Sequence, residues 1–109
     1  EPTLQKLINF EIQNFIADLF AEIYNGKKEY FLDKNKEIDF IITERNKPKI
    51  IGEVKWKKIS KEDIEKFENN SFGLFGKKVL ICKESKEEDR EIEIIDSDKV
   101  IKMVTAQIK

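Results

Sequence analysis

Two stretches decide how this chain is read: Glu37-Ile38-Asp39-Phe40-Ile41-Ile42-Thr43 and Lys49-Ile50-Ile51-Gly52-Glu53-Val54-Lys55-Trp56. Both are rich in β-branched and aromatic residues, and the polar run Glu44-Arg45-Asn46-Lys47-Pro48 separates them. That pattern predicts an antiparallel hairpin whose loop centres on Asn46. Alternation puts Ile38, Phe40 and Ile42 on one face of the first strand, with Glu37, Asp39, Ile41 and Thr43 on the other. In the second strand Ile50, Gly52, Val54 and Trp56 share a face, and Ile51, Glu53, Lys55 and Lys57 take the opposite one. Trp56 is therefore expected in the core beside Val54.

Pairing about Asn46 sets Asp39 against Glu53 and Glu37 against Lys55, with opposed Cβ atoms about 5 Å apart. Two carboxylates facing each other repel unless a cation lies between them. Mg²⁺ or Mn²⁺ suits such a pair, because a hard cation is held by one or two carboxylates, waters and substrate phosphate. Lys55 lies two residues beyond Glu53 on the same face, about 7 Å along the strand. Its ammonium could orient a water or offset charge building on a phosphate oxygen.

Working outward, Leu4, Leu7, Ile8, Ile12, Phe15, Ile16, Leu19, Phe20 and Ile23 recur at helical spacing. They predict a first helix capped by Thr3 and ending at Asn25-Gly26. Glu11 lies at the border of that stripe, and Glu22 lies at a similar angle, so periodicity does not choose between them. Strands are predicted at Glu29 to Leu32, Val79 to Lys83 and Glu91 to Ile95, the last two around a charged turn. Ser60 caps a second helix with Ile64 and Phe67 inward, and a loop through Gly76 carries Phe72, Leu74 and Phe75. A third helix runs from about Ser97 to Lys109. The order is α-β-β-β-α-β-β-α in one domain spanning residues 1–109, with the first three strands antiparallel.

Composition narrows the chemistry. The 109 residues include no histidine, which removes Ser-His-Asp and Cys-His nucleophiles and imidazole zinc sites. Any reaction must run on carboxylates, lysines and a hard metal. The lone Cys82 follows Val79-Leu80-Ile81 and reads as a small core residue in a reducing compartment, with the cytoplasm as the expected location. No apolar run approaches the ~20 residues of a membrane span. The net charge of −1 is unusual for a nucleic-acid binder, and the pairs Lys27-Lys28, Lys57-Lys58 and Lys77-Lys78 read first as solvated charge. A start at Glu1 rather than Met points to a piece of something longer.

The set Glu11, Glu37-Ile38-Asp39 and Gly52-Glu53-Val54-Lys55-Trp56, in this element order, resembles the PD-(D/E)xK nuclease superfamily. It is most similar to the nuclease-like C-terminal domain of archaeal-type AAA+ ATPases, and more distantly to Holliday-junction resolvases. The motifs span about Asn9 to Lys58, and Ile38 stands where the superfamily name has Pro. The resemblance implies an α/β fold with a restriction-endonuclease-like αβββαβ core, a central mixed sheet flanked by helices. It implies Mg²⁺ (or Mn²⁺) on Asp39 and Glu53, water positioned by Lys55, and Glu11 assisting the metal. The function it implies is a DNA endonuclease, acting on branched DNA by the likeness to resolvases. A fused or associated ATPase would supply DNA affinity, and two copies would suit a two-strand cut. Two rivals stand beside it: a non-catalytic regulatory or protein-contact module of such an ATPase, and a plain αβ module whose strand acids form only salt bridges.

Overall fold

A computed structural model describes residues 2–29 and 38–108, the side chains of Pro2, Thr3 and Ile108 excepted. Its elements run α1 (Pro2–Ile23), β1 (Lys27–Glu29), β2 (Phe40–Glu44), β3 (Lys47–Lys58), α2 (Lys61–Asn70), β4 (Lys77–Glu84), β5 (Ile92–Ile95) and α3 (Ser97–Ile108). This is the expected order. The expected strand Glu29 to Leu32 lies outside the described residues except for Glu29, and so does Glu37.

The five strands form one sheet in the order β1-β2-β3-β4-β5. β1, β2 and β3 pair antiparallel, as expected, whereas β3-β4 and β4-β5 pair parallel. The sheet is therefore mixed, and β3 is the strand at which its direction changes. Two strands around a short turn would ordinarily pair antiparallel, so the parallel β4-β5 ladder differs from the simplest expectation. The segment between them, residues 85–91, carries the chain back along β4 from its end at Glu84 to the level of Lys78, which pairs with Ile92. Asp89 tethers its far end by accepting from the Glu91 and Ile92 backbone N–H groups at 3.0 Å each.

Two cores sandwich the sheet. On one face Ile16, Ala17 and Phe20 of α1 and Val100 of α3 pack on Phe40, Ile42, Ile50, Val54, Val79 and Ile81. On the other, Ile64 and Phe67 of α2 pack on Ile41, Ile51, Leu80, Cys82 and Ile92. The architecture is a three-layer α/β/α domain. Trp56 is half-buried in the first core, as its alternation predicted.

Local chemistry sets the element ends. α1 begins at Pro2, ahead of the Thr3 cap that the spacing suggested; proline is tolerated there because first-turn N–H groups lack helical partners anyway. At the other end Asn25 takes the left-handed conformation (φ 52°), while the Gly26 N–H reaches the Ala21 carbonyl at 2.9 Å. Asparagine thus supplies the turn. Gly26 supplies close approach, since a Cβ there would stand 2.6 Å from Ile42 and 2.8 Å from the Thr43 carbonyl. Much of the helical stripe stays uncovered: Leu4, Leu7, Ile8 and Phe15 are exposed.

The β2-β3 connection is tighter than the sequence implied. Arg45 and Asn46 both have positive φ (56° and 66°), which makes a two-residue hairpin turn of the type whose twist matches the strands. Phe40, Ile41 and Ile42 pair with Gly52, Ile51 and Ile50, the register expected about Asn46. The ladder shifts between Ile42 and Thr43, where Pro48 has no N–H to give.

Candidate functional site

The Phe40–Gly52 pair closes the ladder, and its packing shapes β3 just ahead of Glu53. The Phe40 ring lies directly over Gly52, where an added Cβ would collide with the ring. Glycine here admits an aromatic cap over the strand. Beyond this pair the regular alternation of β2 is lost. Ile38 packs with Ile41 and Ile51 in the α2-side core, not with Phe40 and Ile42 as its spacing predicted.

Hydrogen bonding explains the slip. The Asp39 N–H donates to the Gly52 carbonyl at 3.1 Å, and the Val54 N–H donates to Asp39 Oδ2 at 2.7 Å. A side-chain carboxylate thus takes the role that a backbone carbonyl would play had β2 continued. Asp39 straddles Glu53 from Gly52 to Val54, and is not the direct cross-strand partner that ideal pairing would make it.

Glu53 is 2% exposed, an unusual degree of burial for a carboxylate. Its register partner in β4 is Leu80, and that of Lys55 is Cys82. Leu80 and Cys82 belong to the α2-side core, which assigns Glu53 and Lys55 to the same face of the sheet. Lys55 is half-buried and forms no ion pair with a described residue. The β3-β4 register shifts between Lys55 and Lys58, so a bulge bends the strand just past the lysine.

Glu11 does not join this group. It is exposed on α1, about 160° around the helix from Gln13. Gln13 is the α1 residue that reaches the strand end, its Nε2 donating to the Asp39 carbonyl at 3.2 Å. Sequence reasoning passed over it, although a signal existed: a polar residue within the buried arc between Phe20 and Ala17. Glu22 is exposed as well. Among the described residues, no group of three or more acidic or cysteine side chains is gathered to hold a metal.

The remaining candidates take ordinary places. Lys28 pairs with Asp18 at 2.6 Å, Lys57 with Asp63 at 3.3 Å and Lys77 with Glu93 at 2.7 Å, so each lysine doublet has one member in an ion pair. Burial pushes the Cys82 thiol up to about 11, which keeps it protonated and unreactive at neutral pH. A cleft of about 460 Å³ opens between the β4-β5 connection and β5, lined by Ser85, Glu87, Asp89 and Lys99 among others; it contains none of Asp39, Glu53 and Lys55. No helix among the described residues is long and apolar enough to cross a membrane.

Comparison with known proteins adds no assignment: no family model, no curated protein and no solved structure matches this chain.

Proposed function

We propose that this chain is a metal-dependent endonuclease domain of restriction-endonuclease-like fold, hydrolysing phosphodiester bonds in DNA. The observation that carries the reading is the junction of Asp39 with the Gly52–Val54 backbone, which brings a second carboxylate to the segment holding buried Glu53. A mixed sheet whose direction changes at β3 accords with it.

The donor set fits a hard cation. Asp39 and Glu53 offer carboxylate oxygens only, and two such groups leave coordination positions for water and a phosphate oxygen. When bound, Mg²⁺ or Mn²⁺ would polarise the phosphoryl oxygen and lower the pKa of the attacking water. The chain's own residues do the rest. The Val54 N–H fixes the Asp39 carboxylate, burial fixes that of Glu53, and Lys55 supplies a cation that orients water or offsets charge on the phosphate. Gln13 steadies the Asp39 backbone. Glu11, on the outer side of α1, is left outside this set.

Thermal unfolding with and without Mn²⁺ tests the site, and incubation with linear, flapped and four-way DNA tests the activity. Mn²⁺ should raise the melting temperature of the wild type and leave that of Asp39→Asn unchanged. Cleavage should fall at least a hundredfold in Lys55→Ala. Absence of any metal shift in the wild type would reject the site. Metal binding without cleavage of any substrate would favour the same fold kept as a non-catalytic module of an ATPase. That rival draws on the net charge of −1 and on the uncovered apolar residues of α1.

A further inference from the structure

α1 and α3 lie on the same face of the sheet, and both give residues to its core. Between the end of α1, the second half of α3 and strands β4 and β5 they leave a cleft of about 320 Å³. Its inner end is apolar. Buried Phe20 and Ile95 form that end, and half-buried Ile23 and Met103 extend the apolar lining outward. Tyr24, just past the helix, adds a second ring, parallel to that of Phe20 within 4° at a centroid distance of 5.9 Å. Exposed Ala106 and Gln107 mark the mouth.

Charge decides what such a cleft can accept. The charged side chains that line it are Lys77 and Glu93, and they bond to each other at 2.7 Å. The bond to Glu93 holds the Lys77 ammonium above its ordinary pKa of 10.5 despite partial burial, so at pH 7 the pair is fully ionised and neutral as a whole. Lys49, whose ammonium stands 5.8 Å from the centre of the Tyr24 ring, is likewise paired, with Glu44 at 3.1 Å. An anion or cation entering the cleft would shed water and meet no spare counter-charge. An uncharged molecule incurs no such cost.

Size and shape narrow the class further. An apolar cavity of about 150 Å³ takes a single benzene ring. Twice that room takes two fused rings, and a flat guest suits the parallel rings of Phe20 and Tyr24. Met103, the only methionine of the chain, has an unbranched side chain that can follow the outline of a guest. At the mouth the Gln107 amide offers a hydrogen bond to one hydroxyl or carbonyl group. We propose that the cleft between α1 and α3 is a binding site for a small, uncharged aromatic molecule of two fused rings. It uses none of Asp39, Glu53 and Lys55, and it stands or falls apart from the cleavage reading.

Titration of the whole 109-residue chain with 2-naphthol, uncharged at pH 7, tests the site. Because the chain has a single methionine, the ¹³C-labelled methyl group of Met103 reports on the cleft directly. Its resonance should shift and saturate, and 2-naphthol should bind at least tenfold more tightly than 2-naphthalenesulfonate or 1-naphthylmethylammonium. Ala106→Phe, which fills the mouth, should weaken binding at least tenfold while circular dichroism shows the fold intact. Ala106→Ser, close to alanine in size, should bind as the wild type does. Glu93→Gln leaves Lys77 without its partner and should raise the affinity for the sulfonate severalfold while leaving that for 2-naphthol within twofold. The inference is overturned by no saturable Met103 shift, by undiminished binding in Ala106→Phe, or by either charged probe binding as tightly as 2-naphthol to the wild type.

Discussion

Asp39 has a structural task that can be separated from any catalytic one. Its Oδ2 satisfies the Val54 N–H, which has no strand partner beyond the end of β2. Asp39→Ala should therefore cost about 1–3 kcal/mol in urea unfolding, because it leaves a part-buried donor without an acceptor. Asp39→Asn retains a carbonyl oxygen of the same reach and should recover most of that loss. Both should abolish the Mn²⁺ shift. An Asn variant that keeps stability but loses metal would divide the two roles. One that still bound Mn²⁺ with undiminished affinity would remove Asp39 from the proposed ligands.

At the scale of the element, α2 shows how a helix start can be tuned by one side chain. Asp63 Oδ2 accepts from the Ser60 N–H at 2.9 Å and from the Ser60 hydroxyl at 3.2 Å. Partial burial works against its charged form, but the Ser60 backbone and hydroxyl bonds and the Lys57 ammonium outweigh it, holding the carboxyl below its ordinary value of 3.8. A depressed folded-state pKa means that this stabilisation is complete above the unfolded value and fades as pH falls through the folded one. Asp63→Ala should lower stability by about 1 kcal/mol at pH 7. The difference from wild type should shrink below about pH 4, measured by urea unfolding across pH. A gap that stayed constant to about pH 2 would show that packing rather than charge matters at this position.

Across the whole molecule, two cores share one sheet. Phe20 and Phe40 fill the α1 side and Phe67 the α2 side, and all three are fully buried. Strands β2, β3 and β4 contribute residues to both faces, so neither layer can unfold and leave the sheet intact. Phe20→Ala and Phe67→Ala should each cost about 3–5 kcal/mol and lower the same single transition. Two separate transitions in calorimetry of either variant would show that the layers are independent. The exposed apolar residues of α1 and of the 71–76 loop lie outside both cores, and contribute to surface chemistry instead of folding.

Periodicity alone gave the element order, the antiparallel first three strands, the Phe40–Gly52 register and the core positions of Trp56 and Cys82. These come from local spacing: a half-buried strand repeats every second residue, and one wrong step would turn its apolar side chains to water. It also put Glu53 and Lys55 on one face. What it could not give was the fate of strand ends and helix orientation. Ile38 leaves the Phe40 face because Asp39 bonds to backbone two residues apart on β3, a contact between distant segments. Gln13 rather than Glu11 meets that strand end because the rotation of α1 is set by Ile16, Ala17 and Phe20 packing on the sheet. β5 runs parallel because residues 85–91 carry the chain back along β4 to the level of Lys78, so that Ile92 to Ile95 pair with Lys78 to Ile81. In each case the deciding partner lies far away in sequence, and only the folded chain brings it within bonding distance.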